Sequence, residues 1–242
     1  NGNRVRSEQP LADTKYAELG LYGTLVTDYT FDIEDRLVAV RERIYYGKTD
    51  PATDPGAVVM AADYSYDGDG RRIAKLAQTY NLQGGRLDVL LREYVYDGLD
   101  VATEYEYHNG VTTPDITNYY YANGEKVTLE RSNADGTKQV YWYAYDALGS
   151  TTALLDATGQ VTAEYQSDEF GRLLTGNSLL NHYLFTGQEY DPETGLYHFF
   201  ARYYDPNTGV WLSQDVQRGT AMNPGTWHRY AYVLNSPVNR VD

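Results

Sequence analysis

The sequence predicts an all-β protein of stacked β-hairpins, and three observations point there. The chain has 242 residues with 26 Tyr against only 5 Phe and 3 Trp. Tyrosine suits a pleated surface that buries the ring and leaves the hydroxyl near water or a polar partner. Short phrases of the form Y-x-Y-D followed by Gly recur along the chain, and turn signals separate them throughout. Finally, residues 185–215, FTGQEYDPETGLYHFFARYYDPNTGVWLSQD, place Asp191-Pro192 and Asp205-Pro206 at matching points of two similar phrases. Asp can bond its own backbone, Pro presets one dihedral and Gly accepts a left-handed one, so each phrase reads as a turn between aromatic strands.

The repeats open with Tyr64-Ser-Tyr66-Asp67-Gly68 and continue with Tyr94-Val-Tyr96-Asp97-Gly98. Tyr119-Tyr-Tyr121 and Tyr143-Ala-Tyr145-Asp146 follow, and Tyr165-Gln-Ser-Asp168 is the last. Tyr66, Tyr96, Tyr121 and Tyr145 are spaced by 30, 25 and 24 residues. Tyrosines two apart share one face of a strand, and Asp followed by Gly closes a tight turn. Each hairpin has an apolar face it cannot cover alone, so neighbours must stack to bury it. Tyr141, Tyr143 and Tyr145 are expected to form an aromatic ladder with Trp142 on the other face, and strand packing accounts for these tyrosines without a ligand. Residues 50–56 read as a hairpin tip and 222–225 as a loop. Residues 11–22 and 33–45 have mixed periodicity and are expected to hold a short helical piece.

Composition excludes several classes. A net charge of -14, with no run of basic residues longer than two, argues against nucleic acid on the outer surface. There is no cysteine, which excludes disulfides and thiolate metal sites. No 18-residue apolar run offers a membrane span. The start, NGNRVRSEQP, lacks a signal core and reads as the second half of a repeat, so the chain is expected to be part of something longer. His108, His182, His198 and His228 lack metal-ligand spacing, and Asp67-Gly-Asp69-Gly70 lacks the later Glu of a calcium loop. No cofactor and no metal are expected. Nucleotide-binding and nucleophile-elbow motifs are missing from the sequence.

The phrases at Phe185–Tyr197, Ala201–Asp215 and Asn235–Asp242 resemble the core at the C-terminal end of RHS (rearrangement hot spot) and YD-repeat proteins, which include the Tc toxin C component and polymorphic-toxin shells. The resemblance implies residues 1–162 as a YD-repeat wall forming part of a curved antiparallel shell, and 163–242 as the RHS core domain that closes it. It further implies a secreted or delivered bacterial protein that encloses a C-terminal toxin in cis, with further repeats upstream or a delivery partner. Release in that family is by aspartyl self-proteolysis. Matched residue by residue, the catalytic parts are Arg202, Asp215 and Asp242. Two carboxylates at one site can divide the roles of acid and base. The chain departs from the family pattern at Val216, which follows Asp215 where Pro is usual, and at Val210-Trp211 in place of Arg-Phe. It also ends at Asp242, before the expected Pro-x-Gly-Leu. Two alternatives are a catalytically inactive core and a teneurin-like adhesion or wall-associated module that binds through exposed aromatics without cleavage. On the residues alone, Arg202 reads as an ion pair to Asp205 or Asp191, and Asp215 as a turn or cap.

Overall fold

The computed structural model describes residues 2–14, 16–17, 22–47, 55–176, 180–217, 219, 222 and 224–240. Twelve strands follow one another in sequence order in an open antiparallel sheet. They are β1 (Arg6–Pro10), β2 (Gly23–Phe31), β3 (Leu37–Tyr46), β4 (Ala57–Tyr66), β5 (Arg72–Tyr80), β6 (Arg86–Asp97), β7 (Asp100–His108), β8 (Asp115–Ala122), β9 (Glu125–Ser132), β10 (Lys138–Tyr145), β11 (Thr151–Leu155) and β12 (Val161–Glu164). A two-stranded ribbon follows, β13 (Gln166–Ser167) with β14 (Leu173–Thr175). A four-stranded meander comes last: β15 (Glu189–Asp191), β16 (Leu196–Phe199), β17 (Arg202–Asp205) and β18 (Val210–Trp211). None of the described helices is long and apolar enough to cross a membrane.

Six of the described turns share one construction, whereas the Asn123-Gly124 turn between β8 and β9 has just two residues, both left-handed. Asp67 Oδ1 accepts the N–H groups of Asp69 and Arg71, both at 3.0 Å. The Asp67 carbonyl accepts Gly70 N–H, and Gly70 sits at φ +82°. The same bonds from positions i+2 and i+4 recur at Asp32, Asn81, Asp146, Asp156 and Asp168. The left-handed residue stands at i+3 each time: Asp35, Gly84, Gly149, Gly159 and Gly171. The sequence reading placed the turn at the Asp-Gly pair. The structure instead spreads it over D-x-x-G, and the fifth position completes it where it is Arg. Arg36, Arg71 and Arg172 each bond the second oxygen of their turn Asp, at 2.7, 2.8 and 3.0 Å.

Tyrosine is preferred to phenylalanine here for a reason beyond packing. The hydroxyls of Tyr66, Tyr121 and Tyr145 donate to the backbone carbonyls of Leu37, Val101 and Lys126, at 2.6, 2.9 and 2.6 Å. Each bond ties the incoming strand of one hairpin to the outgoing strand of the hairpin before it. Tyr143 and Tyr145 stack with ring centroids 5.6 Å apart and planes 3° apart, while Tyr141 is buried and Trp142 is exposed. A register shift between Ala144 and Tyr145 interrupts the ladder.

The chain divides into two compact units. One comprises residues 3–93 and 106–113. Its core includes Leu11, Leu25, Ile44 and Val59, with Tyr16 and Leu82 packed against them. It also buries an ion pair, Arg92 to Glu106 at 2.5 Å. Of the short helical piece anticipated for 11–22, a 3-10 turn at Leu11–Asp13 is described while residues 15 and 18–21 lie outside the described residues, and 33–45 holds no helix. Residues 37–46 form β3, whose mixed pattern comes from a bulge that pairs Phe31 with Leu37. Past that bulge, Val40, Glu42 and Ile44 alternate onto the buried face. Of the expected hairpin tip at 50–56, residues 50–54 lie outside the described residues.

The other unit comprises residues 1–2, 94–105 and 114–242. Its core joins one face of the sheet (Tyr94, Tyr119, Leu129, Tyr141, Leu154) to an aromatic cluster from the meander. Tyr197, Tyr204, Trp211 and Tyr232 are 1% exposed or less. Their rings meet at edge-on or tilted angles, with Tyr204 and Tyr232 centroids 4.6 Å apart and Trp211 and Tyr232 5.7 Å apart. Tyr197 and Tyr204 hydroxyls donate to the carbonyls of Gly171 and Phe170, at 2.9 and 2.8 Å, which pins the meander to the last repeat turn. Both acidic-proline phrases are turns as expected: Gly195 N–H reaches the Asp191 carbonyl at 2.8 Å and Gly209 N–H the Asp205 carbonyl at 2.9 Å. The loop expected at 222–225 includes the start of a 3-10 turn, Pro224–Trp227.

Candidate functional site

The meander sets the candidate residues. β16 and β17 pair with Phe199 opposite Arg202, and β17 and β18 pair with Tyr204 opposite Trp211. Alternation puts Arg202 on the Tyr204 face, and its guanidinium carbon lies 3.9 Å above the Trp211 ring centroid. A planar cation stacked on a buried indole is held on one side, which leaves its edge free to aim at an anion.

That anion is Asp215. Arg202 Nη1 stands 3.2 Å from Asp215 Oδ2, with side chains 15% and 37% exposed. A second strip of backbone fixes the position of the acid. Trp211 N–H donates to the Tyr230 carbonyl at 3.0 Å and Asp215 N–H to the Arg229 carbonyl at 2.9 Å. Asp215 Oδ1 accepts the N–H of Gln217 at 2.8 Å, so the acid also caps its own turn. Arg229 donates to the Asp215 carbonyl oxygen and, at 2.5 Å, to Gln214 Oε1.

Arg202 and Asp215 thus come together, 13 residues apart in the chain. Asp242 lies outside the described residues. Residue reasoning offered Asp205 or Asp191 as ion-pair partners of Arg202; the structure records an ion pair with Asp215, at 3.2 Å. Asp205 holds its own turn through Thr208 Oγ1 at 2.8 Å and Asn207 N–H at 3.0 Å. Arg229 was missed by sequence reasoning. No spacing in W-H-R-Y marks it, since its role comes from the return of residues 229–231 alongside 210–215. The site offers a part-exposed carboxylate oriented by a stacked guanidinium, which suits base chemistry or the anchoring of a backbone segment. Among the described residues no cluster of His, Cys, Asp and Glu has a geometry that could hold a metal.

The hairpin sheet and the aromatic meander define a YD-repeat shell protein. The chain belongs to the teneurin YD-shell family, whose model matches residues 20–238. It is 36% identical over 220 residues to the tRNA nuclease WapA of Bacillus subtilis, covering 88% of this chain and 8% of that protein. It is 27% identical over 230 residues to the double-stranded DNA deaminase toxin A of Burkholderia cenocepacia, covering 88% of this chain and 15% of the toxin. The chain therefore spans less than a sixth of either relative. Its fold is similar to the crystal structure of TcdB2-TccC3, with a TM-score of 0.62 at 19% identity, covering 91% of this chain and 14% of that one.

Proposed function

We propose that this chain is the closing part of an RHS/YD-repeat shell that contains a C-terminal toxin, with residues 1–162 as wall and 163–242 as the RHS core. The core then frees the toxin by a single self-cleavage. The containment half is supported by relatives named as a tRNA nuclease and a DNA deaminase toxin, each many times longer than this chain. The cleavage half is carried by the 3.2 Å pair of Arg202 and Asp215, two of the three residues the family motif singles out. In this reading Asp215, held by Arg202, takes a proton from water as the oxygen attacks the scissile carbonyl. Asp242, protonated, gives its proton to the departing amide nitrogen. Neutral peptide and water go in, and a carboxyl and an amine come out. The partners are the payload in cis, further repeats and a delivery route out of the producing cell.

The test is expression of the chain together with the sequence that follows Asp242 in its gene, read by denaturing gel and intact mass. Wild type should give two fragments. Asp215→Asn and Asp242→Asn should stay whole, or cut about a hundredfold more slowly or worse. Arg202→Lys, which keeps the charge but loses the planar stack on Trp211, should slow the cut and raise its dependence on pH. Cutting by Asp215→Asn at the wild-type rate would remove this residue from the reaction. An uncut wild type would favour an inactive core or a binding module.

A further inference from the structure

A cavity of about 390 Å³ opens where β7, β8 and β9 meet the meander, all within residues 94–105 and 114–242. This lies within the range of volumes that hold small molecules. Its walls include five aromatic rings, Tyr96, Tyr121, Tyr145, Tyr183 and Phe200, beside polar groups that include Asp100 and Glu189. Lys126 projects into it from β9. Its Nζ lies 3.5 Å above the Tyr183 ring centroid, 5.1 Å from that of Tyr121 and 5.6 Å from that of Tyr119. Two acids that act on Lys126 also accept from tyrosines: Tyr183 donates to Glu104 at 2.9 Å and Tyr94 to Glu189 at 2.6 Å. The strand stitch at this position uses the Lys126 backbone carbonyl, which accepts from Tyr145, and leaves the side chain to the aromatic cavity.

We propose that Lys126 is a modification site, a nucleophilic amine in an aromatic cavity that condenses with small neutral aldehydes to form a Schiff base. The Nζ lone pair adds to the carbonyl carbon, and the carbonyl oxygen takes up a proton to give a carbinolamine. Loss of water then leaves the protonated imine, with no change of oxidation state. The tyrosine rings favour an aromatic aldehyde and stack on the iminium cation that results. Burial lowers the ammonium to about 8, against the opposing pull of Glu104, Glu189 and Asp100. Glu125 and His198 also line the cavity.

The chain carries its own control, because Lys138 has a side chain 67% exposed. The folded chain is treated with benzaldehyde and cyanoborohydride, and labelled lysines are mapped by peptide mass spectrometry. At pH 7.5 Lys126 should be labelled at least about tenfold faster than Lys138. Its rate should level off between pH 8 and 9. Labelling of Lys126 no faster than Lys138, or a Lys126 rate that keeps climbing past pH 9, would overturn the proposal. Neither reading needs a variant to fold, and neither depends on self-cleavage.

Discussion

At the scale of single residues, the hydroxyl is what separates Tyr from Phe in this chain. Tyr66 donates to the Leu37 carbonyl at 2.6 Å and Tyr145 to the Lys126 carbonyl at 2.6 Å, each across two hairpins. Removing one such bond while keeping the ring costs about 1 kcal/mol. Tyr66→Phe and Tyr145→Phe should each lose that amount in urea denaturation, with the slope of the transition unchanged. A loss near zero would mean that water replaces the bond and that the ring alone is selected. Arg202 makes the matching point at the candidate site. Its value there comes from its plane on Trp211 as much as from its charge, which is why lysine is a poor substitute.

At the scale of the element, the hairpin turn decides which glycine matters. Gly70 stands at φ +82°, whereas Gly68 does not adopt a left-handed angle, and neither would meet a neighbour if given a Cβ. Gly70→Ala should therefore cost about 1 kcal/mol through backbone strain. Gly68→Ala should be neutral or gain about 0.5 kcal/mol by restricting the unfolded chain. Gly171 combines both costs: φ is +84° and an added Cβ would come within 2.6 Å of the Phe185 ring. Strain and overpacking together put Gly171→Ala at roughly 2–4 kcal/mol. Because Phe185 belongs to the aromatic cluster beneath the meander, this variant should also loosen the support of Arg202. Thermal denaturation of the three variants side by side checks the order.

For the whole molecule, tyrosine, one lysine and the turn aspartates set the pH limits of stability. Burial first, then neighbouring acids and phenols, push the partly buried Tyr121 and Tyr143 and the buried Tyr183 and Tyr204 well above the usual phenol range. A raised folded value contributes stability that is complete below pH 10 and lost as pH rises past it. Lys126 acts with the opposite sign just below that, because its lowered value makes folding release a proton between about 8 and 10.5. Stability should therefore climb slightly from pH 8 toward 10 and then fall sharply, and Lys126→Met should abolish only the climb. On the acid side, burial raises Asp32 and Asp67, but the hydrogen bonds of their turns outweigh it and hold both below the usual carboxylate range. Thr137 and Thr158 do the same for Asp135 and Asp156, with side-chain bonds first. Their contribution is present above pH 4 and lost as pH falls below it. Equilibrium urea titrations from pH 2 to 11 test the whole profile.

Much of this fold was legible in the residues. Strands, turns and repeat spacing are local: Tyr at i and i+2 fixes a face, and Asp with a glycine three residues later fixes a turn, whatever lies across the sheet. The same locality made Arg202 and Asp215 nameable, since both belong to one run of 31 residues that matches a family motif. The bulge between Phe31 and Leu37 was not legible, because a one-residue slip reverses the faces of a strand and so imitates a mixed period. Arg229, the three-tyrosine cage around Lys126 and the meeting of Arg202 with Asp215 belong to the tertiary structure alone. Each joins strands that only the stacking of successive hairpins and the return of residues 229–231 bring within reach. Local pattern determines which way a side chain faces, whereas non-local packing decides what it meets.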